Sequence, residues 1–133
     1  IKGTHYHEAL LLDTNGNIAE GPGENIFFVK GGKLITPRLG NILAGITRDT
    51  VIELARGFGY EVCETDITPP EGLAADEAFY AGTAAEVTPI HSIDDKVIGA
   101  GKVGPVTRKL REAYLDVVYG RDKKYGHYLT WVK

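Results

Sequence analysis

Two adjacent glycines, Gly31-Gly32, separate the run Asn25-Ile26-Phe27-Phe28-Val29-Lys30 from Lys33-Leu34-Ile35-Thr36, and no other local feature restricts the chain as strongly. Two residues free to take positive φ between two β-forming runs specify a tight antiparallel hairpin. A second turn signal, Asn15-Gly16, ends the short apolar run Glu8 to Asp13, and the chain resumes through Asn17 to Glu20, so a further hairpin is expected there. Pro37 to Gly40 reads as loop.

Helical spacing follows. Val51, Leu54, Ala55 and Phe58 fall at i, i+3, i+4 and i+7, which predicts a helix from Thr47 to Phe58 with one apolar face. Thr47 is the expected cap, Asp49 suits the positive end of the dipole, and Gly59 can stop the helix. Val106, Leu110, Ala113, Tyr114, Val117 and Val118 predict a second long helix. Between the two, Tyr60 to Ile67 reads as a strand broken by Pro69-Pro70, Glu71 to Asp76 as a helical turn and Glu77 to Ala81 as a strand. Val87 to Ile98 reads as a hairpin turning at Asp94-Asp95. These elements make one mixed α/β (α+β) unit over residues 1–133, without repeat or linker.

Composition narrows the functional classes. The net charge of −3 gives no basic field for nucleic acid, and no apolar run approaches the roughly 20 residues that a bilayer span needs. Cys63 is the single cysteine, so no internal disulfide forms, which fits a reducing cytoplasm; its neighbours suggest an apolar strand setting. His5 and His7 alternate along one possible face, but no further ligand has metal spacing, and no metal is expected. Arg108, Lys109 and Arg111 read as the solvated face of the last helix. The sequence has no methionine and begins with isoleucine, so a fragment, a cleaved product or part of a longer chain is expected.

Three glycine-bearing segments can carry chemistry. Glu20-Gly21-Pro22-Gly23-Glu24-Asn25 places two carboxylates on a rigid turn, which is either a cleft wall or an ordinary solvated turn. Gly45-Ile46-Thr47 opens a helix, where unpaired amides favour phosphate, or where the threonine simply caps. Gly82-Thr83-Ala84-Ala85-Glu86 follows a strand; its small residues allow backbone amides to approach a ligand, or form a tight turn beginning a short helix.

Taken together and in this order, the segments resemble the class IV (fold type IV) pyridoxal-phosphate aminotransferases. The stretches Ile18 to Phe27, Gly45-Ile46-Thr47-Arg48-Asp49, Ala75 to Phe79 and Gly82 to Pro89 carry the likeness. Gly101 to Thr107 and the tail Tyr125 to Trp131 are similar to the branched-chain amino acid branch in particular. The resemblance implies the family's large C-terminal cofactor-binding domain in truncated form, a hairpin-rich sheet or pseudo-barrel with two long helices. It implies pyridoxal 5'-phosphate as cofactor and amino-group transfer from Leu, Ile or Val to 2-oxoglutarate, as in branched-chain amino acid biosynthesis. Rivals on the same scaffold are a D-amino acid aminotransferase and an aminodeoxychorismate lyase; a rival of another class is a non-catalytic binding or assembly fragment. A homodimer or higher homo-oligomer is implied, with small amino acids and 2-oxo acids as substrates.

By the same resemblance Glu20 faces the pyridine nitrogen, and Leu43 packs on the ring. Gly45, Ile46 and Thr47 hold the phosphate, and Gly82 and Thr83 add a second contact. The amides of Thr83, Ala84 and Ala85 receive the substrate carboxylate, while Glu24 is structural. In this family the Schiff-base lysine precedes the Glu20 position by more than this sequence reaches, and Lys2 lies too close to it to take the role. No catalytic residue is therefore assigned within residues 1–133; the lysine segment and the small N-terminal domain are expected upstream, and the chain alone is expected to be inactive.

Overall fold

The computed structural model describes residues 1–132. Its centre is a five-stranded sheet in the order β3-β2-β1-β4-β5, built from β1 (Asn25–Lys30), β2 (Lys33–Pro37), β3 (Val62–Thr65), β4 (Glu77–Gly82) and β5 (Glu86–Pro89). The Gly31-Gly32 doublet makes the expected hairpin: both glycines have positive φ, 55° and 77°, and Phe28 pairs with Ile35 across it. β1 also pairs antiparallel with β4, and β4 with β5. β2 and β3 run parallel, which requires the crossover supplied by α1 (Ile46–Gly57).

Alternation along β1 feeds two cores, one on each face of the sheet. Phe27 and Val29 join Leu34, Phe79 and Val87 beneath α1 and α3 (Pro105–Val118), with Val51, Leu54, Leu110 and Tyr114 closing the layer. Phe27 and Phe79 stack with ring centroids 5.1 Å apart. Ile26 and Phe28 point to the opposite face, where they meet Ile18, Ile67, Ala78, Tyr80 and Ile98. The N-terminal segment, α2 (Pro69–Leu73) and the two-stranded ribbon of β6 (Ser92–Ile93) and β7 (Lys96–Val97) contribute to that side.

Mixed α/β architecture and both long helices agree with expectation, and several details differ. The sheet is open, with β3 and β5 at its edges, and does not close into a pseudo-barrel. Around Asn15-Gly16 the chain pairs through Leu12 and Ile18, but only as one isolated bridge. The Asp13 carboxylate accepts the Asn15 and Asn17 amides and closes the turn before longer strands develop. Pro69 and Pro70 do more than break a strand: they occupy the start of α2, where a missing N–H costs nothing. β3 is shorter than Tyr60 to Ile67, and as an edge strand it leaves Cys63 exposed rather than in apolar surroundings. Gly82 to Glu86 is a hairpin turn without a helix, because Gly82 and Glu86 pair as β4 passes into β5. Asp94 and Asp95 do turn the β6–β7 ribbon, both with positive φ. Arg108, Lys109 and Arg111 are exposed on α3. No helix among the described residues is long and apolar enough to cross a membrane.

Candidate cofactor cleft

All three glycine-bearing segments reach one end of the sheet because of strand direction. Asn25 begins β1 opposite Ala81 near the end of β4, and β2 ends at Pro37 on the same side before the loop that leads to α1. Their convergence leaves a cleft of about 300 Å³ lined by the Glu20–Asn25 turn, by Leu43 to Thr47, and by Ala81 to Thr83.

Glu20 enters this cleft from a short ladder in which the Leu11 amide donates to its carbonyl. The next turn closes when the Gly21 amide donates to the Glu24 carbonyl at 2.8 Å. Glu20 Oε2 then accepts from Asn25 Nδ2 and from the Leu43 amide, both at 3.0 Å. Asn25 Nδ2 also donates to the Leu43 carbonyl at 2.8 Å. Gly45 must lack a side chain here, since a Cβ would overlap Asn25 Oδ1. Gly82 is restricted similarly: a Cβ would lie 2.9 Å from the Gly23 carbonyl, so the two turns pack backbone to backbone.

Helix α1 starts at the floor of the cleft. Gly45 occupies the N-cap position without a side-chain cap, so Thr47 is not the cap that its sequence position suggests. Thr47 is the second residue of the helix, buried, with its hydroxyl 3.4 Å from that of Tyr114. First-turn amides have no intrahelical partners, and with no capping side chain the start of α1 offers donors and a positive dipole end. Leu43 and Ile46 expose 73% and 81% of their surface beside the cleft, leaving apolar side chains free to meet a ligand. Thr83 lines the cleft; Ala84 and Ala85 sit farther along the turn, and Ala85 packs against the second core.

Charge at this end is mostly acidic. Burial pushes the Glu24 carboxyl above its ordinary value, Glu8 adds to the shift, and the Gly23 amide opposes it. Burial likewise pushes the Tyr80 phenol well above its usual range, helped by Glu24 and Glu8, while its hydroxyl donates to the Ala9 carbonyl. His5 meets Asp95 at 2.9 Å, away from the cleft lining.

One residue of the cleft lining and one buried behind it show little of their roles in the sequence. Asn25 closes the Glu20–Asn25 segment and opens a strand there, but no role of its own is read for it, although asparagine is a poor strand former and its place at the head of an apolar run is a signal. Arg48 is 1% exposed, and its Nη2 donates to the Pro37 carbonyl at 3.0 Å and to Glu64 Oε2 at 2.7 Å. It thereby fastens the first turn of α1 to the end of β2 and to β3. It stands in the Gly45–Asp49 stretch, but the one hint of a role of its own is that a cation in the first turn opposes the helix dipole.

This arrangement can hold an anion on helix-start amides while presenting a fixed carboxylate elsewhere in the same cleft. Comparisons with known proteins agree on the family. The profile described as Amino-transferase class IV matches residues 1–93. The branched-chain-amino-acid aminotransferase of Pseudomonas aeruginosa is 50% identical over 126 residues, covering 95% of this chain and 41% of that protein. The Escherichia coli K12 enzyme of the same name is 45% identical over 123 residues, covering 91% and 40%. Among solved structures, the branched-chain amino acid aminotransferase of Thermobaculum terrenum in its PLP-form superposes with a TM-score of 0.92 at 52% identity, over 95% of this chain and 42% of that one. The branched-chain aminotransferase of the archaeon Thermoproteus uzoniensis, solved with norvaline, gives 0.90 at 49% identity, over 95% and 42%. The chain thus spans about two fifths of the length of the curated relatives it matches. A profile match over most of the chain, together with a shared fold at about half identity, makes this chain a member of the class IV amino-transferases.

Proposed function

We propose that the protein carrying this chain is a branched-chain amino acid aminotransferase that uses pyridoxal phosphate, and that residues 1–133 provide one side of its cofactor site. One observation carries this reading: Glu20 is pinned by two donors on a single oxygen in the cleft where α1 begins without a side-chain cap. Pyridoxal phosphate asks a site for two things, donors for a phosphate and a carboxylate for a ring nitrogen, and the cleft has both. Its glycines let the walls meet closely, since a Cβ at Gly45 or Gly82 would strike Asn25 or the Gly23–Glu24 turn. The names of the similar enzymes, and the PLP-form in which one of them was solved, support the choice.

When bound, the cofactor supplies an electron-withdrawing ring that takes up charge from the substrate α-carbon. Glu20 keeps a proton on the ring nitrogen through a carboxylate oxygen. The amides of Ile46 and Thr47, with the Thr47 hydroxyl, bind phosphate, and Gly82 and Thr83 supply a second contact. Leu43 covers the ring face, and the turn amides of Thr83, Ala84 and Ala85 orient a substrate carboxylate. No lysine lines the cleft among the described residues, so we place the anchoring amine in the portion of the relatives that this chain does not span. On that basis residues 1–133 form part of a C-terminal cofactor-binding domain, and the chain by itself is inactive. A cytoplasmic homodimer acting on small amino and 2-oxo acids completes the reading.

The test uses the full-length protein, assayed for glutamate formation from 2-oxoglutarate with leucine, isoleucine or valine. Glu20→Gln should lower kcat on the order of 10²-fold, as for loss of a charge aimed at the reacting system. A protein active only with D-alanine, or only with aminodeoxychorismate, would overturn the substrate assignment.

A further inference from the structure

We propose that Asn25 is a positioning residue that aims Glu20, a role that rests on the cofactor reading above. Asn25 is 4% exposed, so its carboxamide must satisfy its polar atoms inside the protein. Its Nδ2 uses both hydrogens, one to Glu20 Oε2 and one to the Leu43 carbonyl. Its Oδ1 occupies the space that a Gly45 side chain would need. One side chain thus touches the carboxylate turn, the loop after β2 and the start of α1.

The Leu43 amide completes the arrangement by donating to the same Glu20 oxygen. A glutamate has three rotatable side-chain bonds, and two donors converging on Oε2 hold them in one setting. Glu20 Oε1 has no hydrogen-bond partner among the described residues, so it is the oxygen left for a ring nitrogen. The chemistry also explains why this residue is an amide. Aspartate has the same shape but donates nothing, and it would place a second carboxylate against Glu20. Alanine would leave the Leu43 carbonyl unpaired and the Glu20 oxygen held on one side only.

The test compares Asn25→Ala, Asn25→Asp, Glu20→Gln and the double variant Asn25→Ala/Glu20→Gln in the full-length protein. Without cofactor, amide exchange at Leu43 is followed by NMR, with the Phe27 and Phe79 amides as a control for the sheet. Asn25→Asp should speed exchange at Leu43 about tenfold and leave the two control amides unchanged. With cofactor, Asn25→Ala should lower kcat about tenfold or more with little change in KM, and should have almost no further effect in the Glu20→Gln background. Equal losses in both backgrounds would overturn the proposal, as would unchanged exchange at Leu43 or acceleration of all three amides together. A silent Glu20→Gln alongside faster Leu43 exchange would instead sink the cofactor reading and leave the clamp on Glu20 supported.

Discussion

Glu77 offers a measurement that depends on no cofactor. This carboxylate is 9% exposed at the start of β4, and it reaches the first turn of α3. Its Oε1 accepts the Val106 amide at 3.1 Å and its Oε2 the Thr107 amide at 2.7 Å. Pro105 has no amide hydrogen and the Arg108 amide donates to the Gly104 carbonyl, so Glu77 satisfies all that remains of the first turn. Gly104 is glycine because a Cβ there would overlap the Glu77 carboxyl.

Glu77→Ala leaves two buried amides unpaired, at about 1 kcal/mol each, and removes an anion from the dipole end, at about 1 kcal/mol. The expected destabilisation of α3 is about 3 kcal/mol, or about a hundredfold loss of protection. Glu77→Gln keeps one acceptor and turns a donor toward the other amide, so it should cost about half as much. Native-state hydrogen exchange of the full-length protein, read by mass spectrometry on peptides spanning α3, gives both values. A change of less than tenfold in Glu77→Ala would show that water serves the helix start as well as the carboxylate does, and the reasoning would fail.

Arg48→Met should destabilise the full-length protein by about 3 kcal/mol in chemical denaturation, because it strips the Pro37 carbonyl and Glu64 of a buried cation. An unchanged denaturation midpoint would show that the ion pair contributes nothing net. Glu24 makes a pH prediction. Its folded-state pKa lies above the ordinary 4.5, chiefly through burial, so the fold binds this proton more tightly than the unfolded chain does. Ionised Glu24 therefore weakens the fold above that raised pKa, and the penalty disappears as pH falls toward the ordinary value. Glu24→Gln should be more stable than wild type at neutral pH, with the gap shrinking on acidification in thermal melts; a gap that widens would contradict the sign.

Elements specified by nearby residues were legible in the sequence. Gly31-Gly32 and Asp94-Asp95 named their turns because positive φ is a local requirement, and the spacing of Val51 to Phe58 and of Val106 to Val118 named two helices. The parallel pairing of β2 with β3 was not legible, since it depends on how α1 docks, and neither was the exposure of Cys63, which follows from β3 lying at an edge. Within the site, Glu20, Leu43, Gly45, Ile46, Thr47, Gly82 and Thr83 do line one cleft, whereas Ala84 and Ala85 lie outside its lining. Asn25 and Arg48 stand in segments that the sequence singles out, but their roles stayed hidden because what they do is connect backbone segments, and a sequence does not show which segments meet.

The antiparallel pairing of β1 with β4 also fixes when the cleft can form. The chain between Phe28 and Ala78 is roughly sevenfold longer than that between Phe28 and Ile35, so closing it costs about 2 kcal/mol more in loop entropy. The β1–β2 hairpin can therefore nucleate early, but Gly82 and Thr83 reach Glu20 only after the long-range closure. A nascent chain released before β4 would carry the carboxylate and the helix start without their third wall. Competence to bind thus belongs to the end of the folding reaction, and a ligand that bridges the three turns would act on that last step.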